Sequence, residues 1–258
     1  MSFVVVIPAR YASTRLPGKS LLDIRGKPMV QWVVEAAVRS GAEEVIVATD
    51  DARIAQAVHD PRNPGKSIAV MTRADHPSGT DRIAEVVQIK RWPDTTLVVN
   101  VQGDEPQLPP ALIEQVAELL VCDASADIAT LCTPIASLHE FLDPHVVKVV
   151  CADDGAALYF SRAPIPWSRD TAPGDLLSQT SFVGAARHLG IYAYRARALL
   201  RMTQSPSSPL EQLEKLEQLR AMQMGMRIVV APARVVPGVG VDTEADLARA
   251  RAETSAAQ

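Results

Sequence analysis

The chain has 258 residues, 47% of them hydrophobic and 22% charged, with a formal net charge of −4. That size and balance suit one large globular domain or two small ones and exclude a disordered chain, and the slight acidic surplus argues against a nucleic-acid binder, which carries a basic excess. No apolar stretch approaches the ~20 residues of a membrane span. The start lacks a secretory signal layout, and Cys122, Cys132 and Cys151 lack CxxC spacing; the expectation is a soluble, cytoplasmic protein with reduced thiols.

Taken in chain order, "FVVVIPA" (3–9) is a β-branched run typical of a strand covered on both faces. An irregular stretch of about twenty residues follows, unusually long for a loop in a compact domain. "PMVQWVVEAAVRSGA" then has helical spacing with Gly41 as its stop. "EEVIVATDD" reads as a second strand, "ARIAQAVHD" as a short helix, "SIAVMT" as a third strand, and "SGTDRIAEVVQI" as a helix capped by Ser78. "TTLVVNVQGDEP" is a fourth strand running into an acidic loop, and "PPALIEQVAELLVC" a helix opened by proline. Four strand–helix alternations within 1–122 predict an α/β fold with a mostly parallel central sheet and helices on both faces. Ligands in such sheets bind at the carboxyl ends of the strands, where both unusual loops lie.

Residues 123–258 differ. "DIATLCTPI", "HVVKVVCADDGAALYFSR" and "RHLGIYAYR" read as strands with a hairpin at "ADDGA", and "SPLEQLEKLEQLRAMQMG" as one long helix with Leu210, Leu213, Leu216 and Leu219 as its buried stripe. "RIVVAPA" is a final strand and "GVDTEADLARARAE" a last helix capped by Thr243. This half reads as a smaller mixed layer on the same domain. The polar stretch 169–186 is either a lid or an edge cover.

"PARYASTRLPGKS" (8–20) superficially suggests a P-loop, but Ser13 stands where that loop needs glycine, and Gly18-Lys19 lies ten residues before the next helix. Arg10, Arg15 and Lys19 crowd one strand end and repel each other unless an anion satisfies them. They read as a polyphosphate clamp, with a solvated basic loop as the alternative. "QGDEP" places Asp104 beyond another strand end, where a magnesium ion would bridge a carboxylate and a phosphate.

These segments carry a resemblance. "IPARYASTRLPGKSL", "VATDD", "MTRADHPSGTDR", "VNVQGDEP", "ALYFSRAPIPW", "RHLGIYAYR", "SPLEQLEKLEQLR" and "VPGVGVDTEADL" resemble, in order and over nearly the whole chain, the cytidylyltransferases that activate acidic sugars, most closely those acting on 3-deoxy-manno-octulosonate (Kdo). The resemblance implies a Rossmann-like nucleotidyltransferase fold in a single domain. Residues 1–122 would mainly bind nucleotide, and 123–258 would mainly bind the sugar acid and form a homodimer. The implied reaction joins CTP and Kdo to give CMP-Kdo and pyrophosphate for lipopolysaccharide synthesis.

The resemblance also adds Asp242 to Asp104 as a magnesium ligand, although on local pattern Thr243 capping explains that segment equally well. It places Ala9, Arg10 and the segment 71–82 around cytosine and ribose; within that segment Arg73, Ser78 and Gly79 are the expected nucleotide contacts. Gln102 is positioned to hydrogen-bond substrate. Arg162 and His188 match positions that hold the sugar acid, and Tyr192 adds a polar group beside His188. Glu211 and Glu214 share one helix face, and Glu214 is the candidate sugar ligand. Lys19, Arg10, Arg15 and Asp104 are the expected catalytic set. The rival readings are activation of another 2-keto sugar acid, a sugar-1-phosphate nucleotidyltransferase, a P-loop ATPase or a non-catalytic nucleotide sensor.

Overall fold

The structure, a computed structural model, describes residues 1–12, 16–170, 174, 180–238 and 240–253. β1 (Val4–Pro8) is followed by a small ribbon of β2 (Asp23–Ile24) and β3 (Lys27–Pro28), then α1 (Met29–Arg39), β4 (Glu44–Thr49) and α2 (Ala52–Ala57). Next come β5 (Ala69–Met71), α3 (Gly79–Lys90), β6 (Leu97–Asn100) and α4 (Pro110–Cys122). The second half adds β7 (Ile128–Pro134), α5 (Leu138–Leu142), β8 (Lys148–Cys151), β9 (Ala157–Ser161) and β10 (Ala186–Arg195). It closes with α6 (Ala196–Thr203), α7 (Pro209–Glu214), α8 (Gln218–Gln223), β11 (Ile228–Pro232) and α9 (Glu244–Glu253).

β1 shows why the sheet sits between two helical layers. Its side chains alternate faces: Val5 and Ile7 pack with Val33 of α1 and Leu112 and Val116 of α4, whereas Val4 and Val6 pack with Ile83 and Val86 of α3 and Leu199 of α6. Both faces are therefore apolar, and the run is continuous rather than alternating. Among the described residues the main sheet has nine strands, in the order β11-β7-β10-β6-β1-β4-β5, with β8 joined to β10 and β9 joined to β8. β6, β1, β4 and β5 are parallel, as are β7 and β11. β10 runs antiparallel to both β6 and β7, so the two halves of the chain share one sheet.

Three features depart from the sequence expectations. The irregular stretch after β1 contains the β2–β3 ribbon and a 3₁₀ turn at Lys19–Leu21. The helices α5 and α6 were not anticipated. The long helix expected over 208–225 is broken at Lys215, which takes a left-handed conformation (φ 55°), leaving Leu213 81% exposed rather than in the core. Ser208 and Glu211 form a capping box that starts α7, and the Glu214 carboxylate accepts from the Ser161 hydroxyl and the Arg162 amide. These contacts from β9 favour the break over continuation. The lid question for 169–186 falls partly outside the described residues, which omit 171–173 and 175–179, and Arg15 lies outside them entirely.

Candidate active site

β1, β4 and β6 end side by side, with Val6 paired to Asn100 and Pro8 to Ala48. A cavity of about 400 Å³ opens at these carboxyl ends. Ala9 and Arg10 line it from the end of β1, Ser78 and Gly79 from the start of α3, and Gln102 and Asp104 from the loop after β6. The walls approach closely: a Cβ on Gly103 would lie 3.0 Å from the Pro8 carbonyl oxygen, so any larger residue there would push the β6 loop and β1 apart. Ser78 caps α3 by accepting from the Asp81 amide at 3.2 Å, and the Gln102 amide donates to Asn100 Oδ1 at 3.3 Å.

The strongest electrostatic feature is Lys19. Its ammonium donates to Asp104 Oδ2 at 2.6 Å and to Asp242 Oδ1 at 2.8 Å, joining three segments distant in sequence. An apolar pad brings them together. Leu16 and Ile24 of the N-terminal loop and Met29 of α1 pack on Val241 and on Leu247 of α9, and the Val241 amide donates to the Asp104 carbonyl at 2.9 Å. Each buried leucine in such a pad stabilises it by about 1.5–3 kcal/mol relative to exposure. Asp246 then fixes the approach of Asp242 by accepting from its amide at 3.1 Å and from the Thr243 amide at 2.8 Å. Beside this cluster, burial, reinforced by the charges of Asp104 and Asp242, pushes the Glu105 carboxyl up to about 7.

Sequence reasoning missed three cavity residues. Arg82 is buried, its guanidinium donating to Thr72 Oγ1 at 2.5 Å and to Asp50 Oδ2 at 3.3 Å. His76 bonds Glu85, whose Oε2 also accepts from the Arg73 amide at 2.9 Å and so staples the 73–76 turn to α3. Glu217 faces the cavity and accepts from the Thr80 hydroxyl at 2.5 Å. The leucine spacing hid Glu217 by suggesting an unbroken helix. The break at Lys215 turns this carboxylate, rather than Glu211 or Glu214, toward the cavity.

Other expected residues lie elsewhere. The Arg73 guanidinium turns outward to Asp75 at 2.9 Å and does not line the cavity. Arg162 and Glu214 bind each other: Arg162 Nε donates to the Glu214 carbonyl at 2.7 Å and Nη1 to the Pro144 carbonyl at 3.0 Å. Glu211 pairs with Arg220 at 3.0 Å in a buried contact. His188, Tyr192 and Tyr194 form an aromatic row along β10, with centroids 5.3 and 5.7 Å apart, and Tyr192 is the cross-strand partner of Asn100. Burial pushes the His188 imidazole down to about 3. The Thr130 hydroxyl lies 2.7 Å from the Ile191 carbonyl, to which it donates, so it accepts from His188 Nε2 at 3.0 Å and fixes a neutral imidazole protonated at Nε2.

Among the described residues no group of three acidic, histidine or cysteine side chains is arranged to hold a metal ion, but the donor set at Asp104 and Asp242 fits one. Two carboxylates converge on a cation in a cavity lined by Arg10, and magnesium takes one or two protein carboxylates and completes its shell with phosphates and water.

Parallel strands feeding anion-ready loops, with carboxylates gathered across them, suit nucleotidyl transfer. Residues 4–228 match the family model described as Cytidylyltransferase. The chain belongs to the cytidylyltransferase family. The 3-deoxy-manno-octulosonate cytidylyltransferase of Nitrosococcus oceani is 56% identical to it over 253 residues, covering 97% of this chain and 96% of its own. The enzyme of the same name from Aeromonas hydrophila is 54% identical over 254 residues, 98% of each. A solved structure of CMP:2-keto-3-deoxy-manno-octonic acid synthetase complexed with CTP superposes on this cytidylyltransferase with a TM-score of 0.87, at 44% identity and over 100% of both chains. Among the described residues no helix is long and apolar enough to cross a membrane.

Proposed function

We propose that this cytidylyltransferase transfers the CMP moiety of CTP to the anomeric hydroxyl of Kdo, giving CMP-Kdo and pyrophosphate. The observation that carries the reading is the meeting of Lys19, Asp104 and Asp242 beside Arg10 at the carboxyl ends of β1 and β6. The full-length likeness to relatives named for this reaction supports the choice of substrates.

In the proposed reaction the sugar hydroxyl oxygen bonds to the α-phosphorus, the bond from that phosphorus to the bridging oxygen breaks, and pyrophosphate leaves. The hydroxyl proton passes to solvent. Arg10 and Lys19 offset the charge that accumulates on the departing pyrophosphate. The backbone around Ala9, Ser78 and Gly79 holds base and ribose, and Gln102 and Glu217 orient the sugar acid through its hydroxyls. His188 and Tyr192 on β10, the positions that match sugar-acid contacts in the resemblance, stand outside the cavity lining. Arg162 and Glu214 fasten the end of β9 to α7.

Among the described residues lining the cavity, the cations Lys19 and Arg10 face the carboxylates Asp104, Asp242 and Glu217, while Arg82 pairs with Asp50. A bound triphosphate adds several negative charges beside these carboxylates, and Asp104 and Asp242 would hold magnesium to offset them. When bound, that ion supplies charge neutralisation at the phosphates and acidifies a coordinated hydroxyl. The reading extends to a cytoplasmic homodimer serving lipopolysaccharide synthesis, with exposed Leu158 on the edge strand β9 and exposed Val183 as support for self-association.

Pyrophosphate release is the test. Turnover with CTP, magnesium and Kdo, and little with sialic acid or with ATP, is the expected pattern. Preference for a different sugar acid would move the substrate assignment, and no release with any of them would overturn the reading.

A further inference from the structure

Arg10 and Lys19 line the cavity from segments on either side of residues 13–15, and neither belongs to a strand of the sheet. One aromatic side chain lies between those segments. Over the Tyr11 ring stands the Arg53 guanidinium, its central carbon 3.4 Å from the ring centroid. Gly18 rests against the same ring: a Cβ there would come 3.1 Å from Tyr11 Cε2, and the glycine has a φ of 66° that other residues rarely adopt. The Gly18 amide donates to the Tyr11 carbonyl at 3.2 Å, closing the loop on itself.

Arg53 is anchored in turn. Its Nε and Nη2 donate to the two oxygens of Asp51 at 2.9 and 2.6 Å, while its own amide donates to Asp51 Oδ1 at 2.8 Å and caps α2. Asp51 lies two residues beyond β4. A continuous set of contacts thus runs from the rigid sheet through Asp51, Arg53 and Tyr11 to Gly18, flanked by the two cations.

We propose that Tyr11, held by the Arg53–Asp51 pair, is a positioning residue that fixes the spacing of Arg10 and Lys19 for a nucleoside triphosphate. This rests on the CTP-dependent reading above. The stack is poorly placed to serve the fold alone: the Arg53 side chain is 58% exposed, and α2 is a short helix at the periphery of the sheet. Exposed cation–π pairs contribute little to stability, whereas a small shift of the clamp acts directly on phosphate binding.

The test is calorimetric binding of CTP, CMP and pyrophosphate to the full chain, together with steady-state kinetics and thermal melts. Tyr11→Ala and Arg53→Ala should each weaken CTP and pyrophosphate about fivefold, the scale of one such contact. CMP binding and the KM for the sugar acid should stay at wild-type values. Tyr11→Phe, which keeps the ring under the guanidinium, should restore CTP binding. The double variant should lose no more than either single one, because both remove the same contact.

Equal losses for CTP and CMP, additive losses in the double variant, wild-type CTP binding in both alanine variants, or unfolding of Arg53→Ala would each overturn the proposal. The binding comparison stands apart from turnover. A wild-type chain that binds CTP but releases no pyrophosphate with Kdo would sink the functional reading and leave this one standing.

Discussion

Replacing Lys19 with methionine separates its structural role from its catalytic one. In the free chain its ammonium bonds Asp104 at 2.6 Å and Asp242 at 2.8 Å, with the lysine side chain 12% exposed and the carboxylates 39% and 49% exposed. Hydrogen bonds to charged groups contribute about 1.5–3 kcal/mol when well shielded. Both acceptors here are more than a third exposed, and solvent screening brings the pair down to about 1 kcal/mol in total. For a chain of this size that lowers the melting temperature by about 2–4 °C. Removing one preorganised donor from a transition state of growing negative charge costs about 10²–10³ in turnover, or roughly 2.7–4 kcal/mol. Lys19→Met should therefore lose far more activity than stability. Without the ammonium the two carboxylates repel, so magnesium should raise the melting temperature of the variant more than that of the wild type. Pyrophosphate release and thermal melts with and without magnesium read both effects. Turnover within about threefold of wild type would contradict the clamp, since one well-placed donor is worth more than that.

Three other outcomes follow from particular contacts. Because the His188 imidazole titrates at about 3 in the fold and near 6.5 when unfolded, its contribution is complete above pH 6.5 and is lost as pH falls toward 3. That is about 2 kcal/mol at pH 5; melts of His188→Gln should be correspondingly flatter between pH 7 and 5, and an unchanged slope would refute the assignment. Glu217→Gln should raise the KM for the sugar acid about tenfold, the scale of one charged hydrogen bond, with the KM for CTP unmoved; a shift confined to CTP would place Glu217 at the nucleotide instead. Gly103→Ala sets a Cβ 3.0 Å from the Pro8 carbonyl oxygen, backbone against backbone, and should destabilise by about 1–3 kcal/mol with loss of turnover. Gly190→Ala, where a Cβ meets nothing within 4 Å, is its control, and equal melting of the two would remove the close-approach argument.

The parts of the fold legible in the sequence are those where one segment decides its own environment. β1, β4 and β6 are buried on both faces, and their unbroken apolar runs say so. The position of β10 was not legible, because nothing in "RHLGIYAYR" states that it will run antiparallel between β6 and β7. The break at Lys215 was hidden for a related reason. Leucines at 210, 213, 216 and 219 suit a continuous helix, and what favours the break is Ser161 and Arg162, some fifty residues earlier. Within the site, Ala9, Arg10, Lys19 and Asp104 were legible because charged or irregular segments at strand ends face the cavity in this architecture. Arg73 obeyed the same rule of thumb, yet Asp75, two residues on, draws its guanidinium outward. Local pairing outranks position when an opposite charge is that close.

The letters Gly-Lys-Ser acquire a different physical meaning from the one they have in a P-loop. There, lysine stands at the start of a helix and backbone amides cradle the phosphates. Here the lysine sits in a 3₁₀ turn, and its place depends on an apolar pad shared by Leu16, Ile24, Met29, Val241 and Leu247. The docking of the C-terminal helix on the N-terminal loop therefore brings Asp242 to the Lys19–Asp104 pair. An ammonium has three donors, and Asp104 and Asp242 take two of them. One remains for a phosphate oxygen, so Lys19 can hold the two acidic segments together and touch the nucleotide in the same geometry. This double engagement makes its position sensitive to anything that moves the loop, which is why a tyrosine ring braced by Arg53 of α2 bears on phosphate binding at all.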